Sequence, residues 1–195
     1  LGDPLLGNTE GIVSRAGVSW VYDGLDKAQV PTRGILSRNT FYHYFDSPEA
    51  EENFTQLETE SSIFGKTGKR NVLFSFMRGG ATLGGNASPA QKFTVGGRLR
   101  LGGYYYEEFR ADNYLVFGSG VLHNPAFFPD FLGGKTYLGA WYEGGSAFDE
   151  LKNAIYRQSL SGGVFIETPF GPVFVGGSLN EDGRGKLYFS YGRFF

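Results

Sequence analysis

Glu58 and Glu60 are the two residues best placed by type and spacing to do chemistry. On a strand, residues two apart share a face, with Cα atoms about 6.5–7 Å apart. That separation lies inside the range over which paired carboxylates hydrolyse glycosidic bonds. A polar wall facing water needs the same two side chains and no catalysis, and nothing else in the chain supports work on sugars. Nucleophilic chemistry has less to stand on. There is no G-x-S-x-G run, and Ser119, in Gly118-Ser119-Gly120, lacks its spacing. The chain has no cysteine, hence no thiolate nucleophile and no disulfide. His43 and His123 lack the spacing of metal ligands, and His43, among Phe41, Tyr42, Tyr44 and Phe45, reads as a packing residue. No catalytic residue, cofactor or metal is implied.

The elements that must position these residues are strands. Of 195 residues, 31 are glycine and 17% are aromatic, as suits an all-β chain with tight turns and aromatic girdles. Mean hydropathy is -0.24, a value that alternating lipid-facing and water-facing residues also produce. No apolar run approaches the roughly 18 residues of a membrane helix. A net charge of -2 argues neither for nucleic acid nor for an acidic partner, and no nucleic-acid partner is expected. Period-2 alternation and turn chemistry predict nine strands, over 12–23, 35–45, 54–64, 69–80, 112–122, 135–143, 158–167, 173–179 and 186–195. In the third, Gln56, Glu58 and Glu60 oppose Leu57 and Ile63. In the sixth, Tyr137, Trp141 and Glu143 oppose Leu138 and Tyr142. The fifth has two small or apolar faces and takes no orientation from sequence. Residues 1–11 read as loop, 123–131 as an aromatic turn, and 144–157 as a loop with one helical turn.

Between the fourth and fifth strands lies Phe93-Thr-Val-Gly96-Gly97-Arg98-Leu99-Arg100-Leu101-Gly102-Gly103-Tyr104. It resembles the F-x-x-GG-x-x-x-[VIL]-[RS]-G-[YF] loop of the bacterial surface antigen superfamily of outer-membrane barrels, which includes barrel-assembly proteins and two-partner secretion transporters. Two further stretches carry the resemblance: Tyr22 to Gly34, similar to a recurrent periplasmic turn (YD-x-x-D-x-x-x-x-PT-x-G), and Thr168-Pro-Phe-Gly-Pro172 with the closing strand to Phe195. The resemblance implies an antiparallel transmembrane β-barrel whose residues 82–111 fold into the lumen, and a Gram-negative outer membrane as its location. It implies a motif of Phe93, Gly96, Gly97, Arg100, Gly103 and Tyr104, and an assembly signal including Tyr191 and Phe195. Transport members place an arginine where Gly102 stands, locking the loop to the wall. Arg100 or Arg98 is the substitute expected here, with Glu143 as its partner. A non-arginine at this position resembles the branch whose barrel follows a patatin-like phospholipase domain.

The implied partners are outer-membrane lipids, the barrel-assembly machinery during insertion, and either missing barrel strands or a second copy. Eight or nine strands suggest the C-terminal half of a sixteen-stranded barrel, because an open edge in lipid leaves unpaired backbone groups. Residues 1–195 would then be one part of a barrel domain. Such a segment anchors or assists a periplasmic domain, polypeptide or lipid without catalysis of its own. The rows Val72/Phe74/Phe76 and Leu187/Phe189/Tyr191 are expected on the greasy outside, with the Glu58/Glu60 row on a wet inside. The competing fold is a soluble β-sandwich that binds carbohydrate or protein, which would tuck the Phe74 and Phe189 rows between two sheets.

Overall fold

The computed structural model describes residues 11–48, 50, 52–125 and 134–195. Most of the stretches expected as a loop over 1–11 and as a turn over 123–131 lie outside them. Nine strands form one antiparallel meander: β1 (Ser14–Asp23), β2 (Gly34–Asp46), β3 (Phe54–Thr67), β4 (Asn71–Leu83), β7 (Asn113–His123), β8 (Thr136–Phe148), β9 (Arg157–Ile166), β10 (Val173–Asn180) and β11 (Gly185–Tyr191). A two-stranded ribbon, β5 (Phe93–Val95) with β6 (Phe109–Ala111), interrupts the meander between β4 and β7. A single turn of 3-10 helix, Leu151–Asn153, sits between β8 and β9. Most strands run 10 to 14 residues, long enough to cross a hydrocarbon layer at a tilt. There is one curved sheet rather than two stacked ones, which removes the sandwich.

Alternation sets the two faces. Gln56, Glu58 and Glu60 of β3, and Tyr137, Trp141 and Glu143 of β8, point to the concave side, while Leu57, Ile63, Leu138 and Tyr142 are exposed on the convex side. On β7, Tyr114, Val116 and Leu122 are buried while Leu115 and Phe117 are exposed, so the structure orients the strand that sequence left open. Leu187 and Phe189 of β11 are 93% and 74% exposed, continuing an outward apolar band of the kind lipid covers.

One expectation is corrected. Val72, Phe74 and Phe76 are buried on the concave side, and Leu73 and Met77 take the outside. Phe195 also lies inside. Gly192, at φ +100°, ends the last strand by donating its N–H to Pro172 O at 2.8 Å. Beyond it, Phe194 and Phe195 turn inward. The reason is shared: Phe64, Phe74, Trp141, Phe165, Phe174 and Phe194 fill one end of the concavity as an aromatic cluster. Ring centroids stand 4.6 Å apart for Phe165–Phe174, 4.5 Å for Phe174–Phe194 and 5.2 Å for Phe74–Phe195. Packing at these spacings favours the rings beyond the area they bury.

The β1–β2 turn closes the same end. Asp26 accepts N–H bonds from Thr32 (2.8 Å) and Arg33 (3.0 Å) and the Thr32 hydroxyl (2.5 Å). Gly34 sits at φ +111°, where an added Cβ would lie 2.1 Å from Gly24 O, so only glycine fits. The turn reaches across to the β9–β10 turn, with Lys27 Nζ 3.2 Å from Glu167 Oε1 and Gln29 Nε2 donating to Thr168 O at 3.1 Å.

Candidate functional site: the inward loop and its clasp

The β4–β7 connection returns onto the concave face instead of leaving the sheet. Its base is pinned by Asp112, which accepts the Ala87 N–H (2.9 Å), pairs with Lys92 (3.2 Å) and donates its own N–H to Asp149 Oδ1 (2.9 Å). Lys92 also meets Asp149 at 2.8 Å. That contact, and after it burial working the other way, leaves the Asp149 carboxyl below its ordinary range. The β5–β6 ribbon then carries the chain inward to a tip at residues 96–104.

The tip is tightly wound. Gly96 N–H donates to Arg100 O (2.8 Å), Arg100 N–H to Gly97 O (2.9 Å) and Tyr104 N–H to Leu101 O (3.1 Å). Gly96 and Gly97 have φ of +127° and +97°, and a Cβ on Gly96 would meet Tyr105 O at 2.1 Å. Leu99 and Leu101 also hold positive φ, +56° and +72°. That conformation is costly for a bulky residue. Both side chains are almost fully buried, and that burial offsets the strain.

Glu143, 0% exposed on β8, is the centre of the contact. Its Oε2 accepts the backbone N–H groups of Leu101 (2.7 Å) and Gly102 (3.2 Å). Its Oε1 accepts Trp141 Nε1–H (2.8 Å) and the Ser161 hydroxyl (2.9 Å). Gly103 N–H donates to Ser159 Oγ at 3.0 Å, and the Tyr188 hydroxyl donates to Gly102 O. The N–H groups of Leu101, Gly102 and Gly103 and the Gly102 carbonyl thus find partners on the wall, as a buried loop requires. Gly102 is closely packed: a Cβ would stand 2.5 Å from Ser178 Oγ and 2.9 Å from Ser161 Oγ, so both hydroxyls would have to shift. Gly103 is equally tight, 2.4 Å from Asn180 N.

The expected pairing of Arg100 or Arg98 with Glu143 is corrected. Arg100 Nη2 goes to β3, 2.7 Å from Glu60 Oε1 and 3.0 Å from Glu58 Oε1, while Nη1 donates to Thr94 O at 3.2 Å. Burial works against its charge, but Tyr114, Glu60 and Glu58 more than offset that, and its pKa is raised. Arg98 turns to β11, donating to Ser190 Oγ at 2.5 Å beneath the Phe194 ring. The loop is thus held on two sides, by a carboxylate on its backbone and by carboxylates on its guanidinium. Phe93 packs on Tyr114 (5.3 Å) and Tyr104 on Phe109 (5.0 Å).

The other chemistry-bearing residues are occupied structurally. Glu58 also accepts the Tyr114 hydroxyl (2.6 Å), and Glu60 lies 3.5 Å from Arg78 and 3.7 Å from Arg38. His43 bonds Thr55 (2.9 Å), His123 bonds Asn71 (2.7 Å), and Ser119 Oγ donates to Phe74 O (3.0 Å). Among the described residues, no three His, Asp or Glu side chains gather to hold a metal. Tyr191 is exposed on the convex face. Sequence reasoning missed Ser159, Ser161, Ser178 and Tyr188. For the serines the signal was a row of small polar residues alternating with the outward Leu160 and Leu179, opposite a glycine loop.

A one-sheet meander with a greased convex face and a loop clasped to its concave face defines an outer-membrane β-barrel wall. The Omp85 superfamily domain matches residues 6–195, and the chain belongs to that superfamily, at home in the Gram-negative outer membrane. No curated protein matches it. Among solved structures it is similar to BamA from Haemophilus ducreyi lacking POTRA domains 1-3, with a TM-score of 0.72 and 12% identity over 90% of this chain. The chain spans 40% of that structure's length.

Proposed function

We propose that this chain is a wall segment of an Omp85 barrel that anchors or assists a periplasmic domain, polypeptide or lipid during assembly or translocation, with no catalytic site of its own. The observation that carries this reading is the clasp on the loop. Leu101 and Gly102 bind Glu143 through backbone, and Arg100 binds Glu58 and Glu60. Those carboxylates, the best candidates for acid–base work, are committed to holding a loop. In lipid, the free edges of β1 and β11 need cover from further strands or a second copy, and Tyr191 and Phe195 serve recognition by the barrel-assembly machinery. In the longer protein the partner we favour is a patatin-like phospholipase or esterase domain. The support is Gly102, which stands where an arginine lock would otherwise be.

The test is made on the full-length protein in its own cells. Depletion that lowers the amounts of other outer-membrane barrels supports an assembly role. Unchanged barrels with loss of a membrane esterase activity support the lipase anchor. Hydrolysis of an ester substrate by the purified residue 1–195 chain would overturn the claim of a passive wall.

A further inference from the structure

A cavity of about 470 Å³ lies between the loop tip and the inner faces of β4 and β11. Arg78, Arg98, Arg100 and Lys186 line it, and no carboxylate does. On the β3 side the positive charge is answered, because Glu58 and Glu60 serve Arg38, Arg78 and Arg100. On the β11 side it is not. Arg98 donates to Ser190 beneath the Phe194 ring, Lys186 Nζ sits 2.7 Å from the Tyr105 ring centroid, and among the described residues neither meets a carboxylate. Burial, and then the neighbouring Arg78 charge, push the Arg98 pKa down. The cavity opens past the edge of β11, the last strand of the sheet. A strand paired along that edge closes the opening and takes water from Arg98 and Lys186, which makes unanswered charge more costly. It also sets its inward side chains about 5 Å from those of β11, within reach of both cations.

The edges of this chain do not supply the missing charge. Arg15, Gly17, Ser19 and Val21 are the inward row of β1, through their register with Tyr44, Tyr42, Thr40 and Arg38. Asp23, at the rim, already meets Arg193 at 3.0 Å. A second β11 would bring Lys186, Tyr188 and Ser190, adding cations where anions are needed.

We propose that the strand paired with β11 carries an inward aspartate or glutamate that binds Arg98 and Lys186, and that it comes from wall outside these nine strands and not from a second copy. The inference rests on the reading that the β11 edge is covered, and it specifies the chemistry of the cover.

In the experiment, the full-length protein in its outer membrane is treated with a carbodiimide, which joins an amine directly to a carboxylate, and linked peptides are identified by mass spectrometry. Lys186 becomes joined to an aspartate or glutamate outside residues 11–195. Arg98→Lys adds a second link to the same peptide, and the exposed Lys66 does not join it. A link from Lys186 to a carboxylate within residues 11–195, such as Glu107 or Glu108 of the loop, would overturn the inference, as would no link at all. Hydrogen exchange separates the two ways of failing. Slow exchange at every β11 amide, with no link, means that the edge is covered by wall without the acid, and the charge inference alone falls. Fast exchange at alternate β11 amides means that the edge is open, and the reading beneath falls with it. If Arg98→Lys loses the heat-modifiable migration of a folded barrel, Lys186 carries the test alone.

Discussion

Leu101 donates its backbone N–H to Glu143 Oε2 at 2.7 Å across 42 residues of sequence. A leucine in the left-handed region and a carboxylate with no exposed surface thus stabilise one another: the carboxylate gains a donor and the strained turn gains an anchor. The loop's position follows from that exchange more than from any property of the loop alone.

Glu143→Ala leaves the N–H groups of Leu101 and Gly102 and the Trp141 Nε1–H without their acceptor in a dry site. Unsatisfied buried donors cost about 1–3 kcal/mol each, and relaxation of the loop recovers part of the total. Urea unfolding in detergent should show a loss of about 3 kcal/mol, with faster proteolysis between residues 96 and 107. Glu143→Gln keeps one acceptor oxygen and should lose less.

Gly102→Ala places a methyl 2.5 Å from Ser178 Oγ. Overpacking of this kind costs about 1–3 kcal/mol. Because Ser161 also crowds the position, Ser178→Ala should recover only part of the loss, and the double variant should sit between the single variant and the parent in the same unfolding assay.

A double-mutant cycle separates the two sides of the clasp. Arg100→Ala with Glu60→Ala should show coupling of about 1–3 kcal/mol, while Arg100→Ala with Glu143→Ala should fall within about 0.5 kcal/mol of additivity. Equal coupling in the two cycles would mean that the loop is gripped through a single ionic contact after all.

Asp26 supplies a pH signature at the turn end. Burial opposes its charge, but the Thr32 hydroxyl and N–H and the Arg33 N–H more than offset that, and its pKa falls below the ordinary 3.8. A carboxyl depressed in the folded state contributes its full stability above the unfolded pKa and loses it as pH falls through the folded one. The midpoint of thermal unfolding should therefore hold above about pH 4 and drop below it. Asp26→Asn should flatten that acid limb.

The strand pattern was legible where the two faces differ in chemistry. On β3, glutamates alternate with leucine and isoleucine, and on β8 the Trp141/Glu143 row opposes Leu138 and Tyr142. Period 2 therefore sets both position and orientation. On β4 the Val72/Phe74/Phe76 row is the more apolar and the opposite row mixes Asn71 and Ser75 with Leu73 and Met77, so alternation located the strand but turned the wrong row to lipid. The interior aromatic cluster decided the orientation, through contacts with residues as distant as Phe195. The clasp was legible in part. Glycines at 96, 97, 102 and 103 announced close approach of backbone, and Glu143 was singled out on its strand. Its bond to amides instead of arginine was hidden, because a positive φ at Leu99 and Leu101 follows from burial and no local preference of leucine encodes it. The three-residue strands β5 and β6 are too short for any period to register.

The β1–β2 turn has a mechanical consequence. Val30 and Pro31 are buried beneath the sheet, and Lys27, Gln29 and Asp23 reach Glu167, Thr168 and Arg193 on the far side. Exposed ion pairs contribute little, so the grip comes chiefly from the seated valine and proline. The two margins of the curved sheet are therefore tied across at this rim, like staves of a cask under a band.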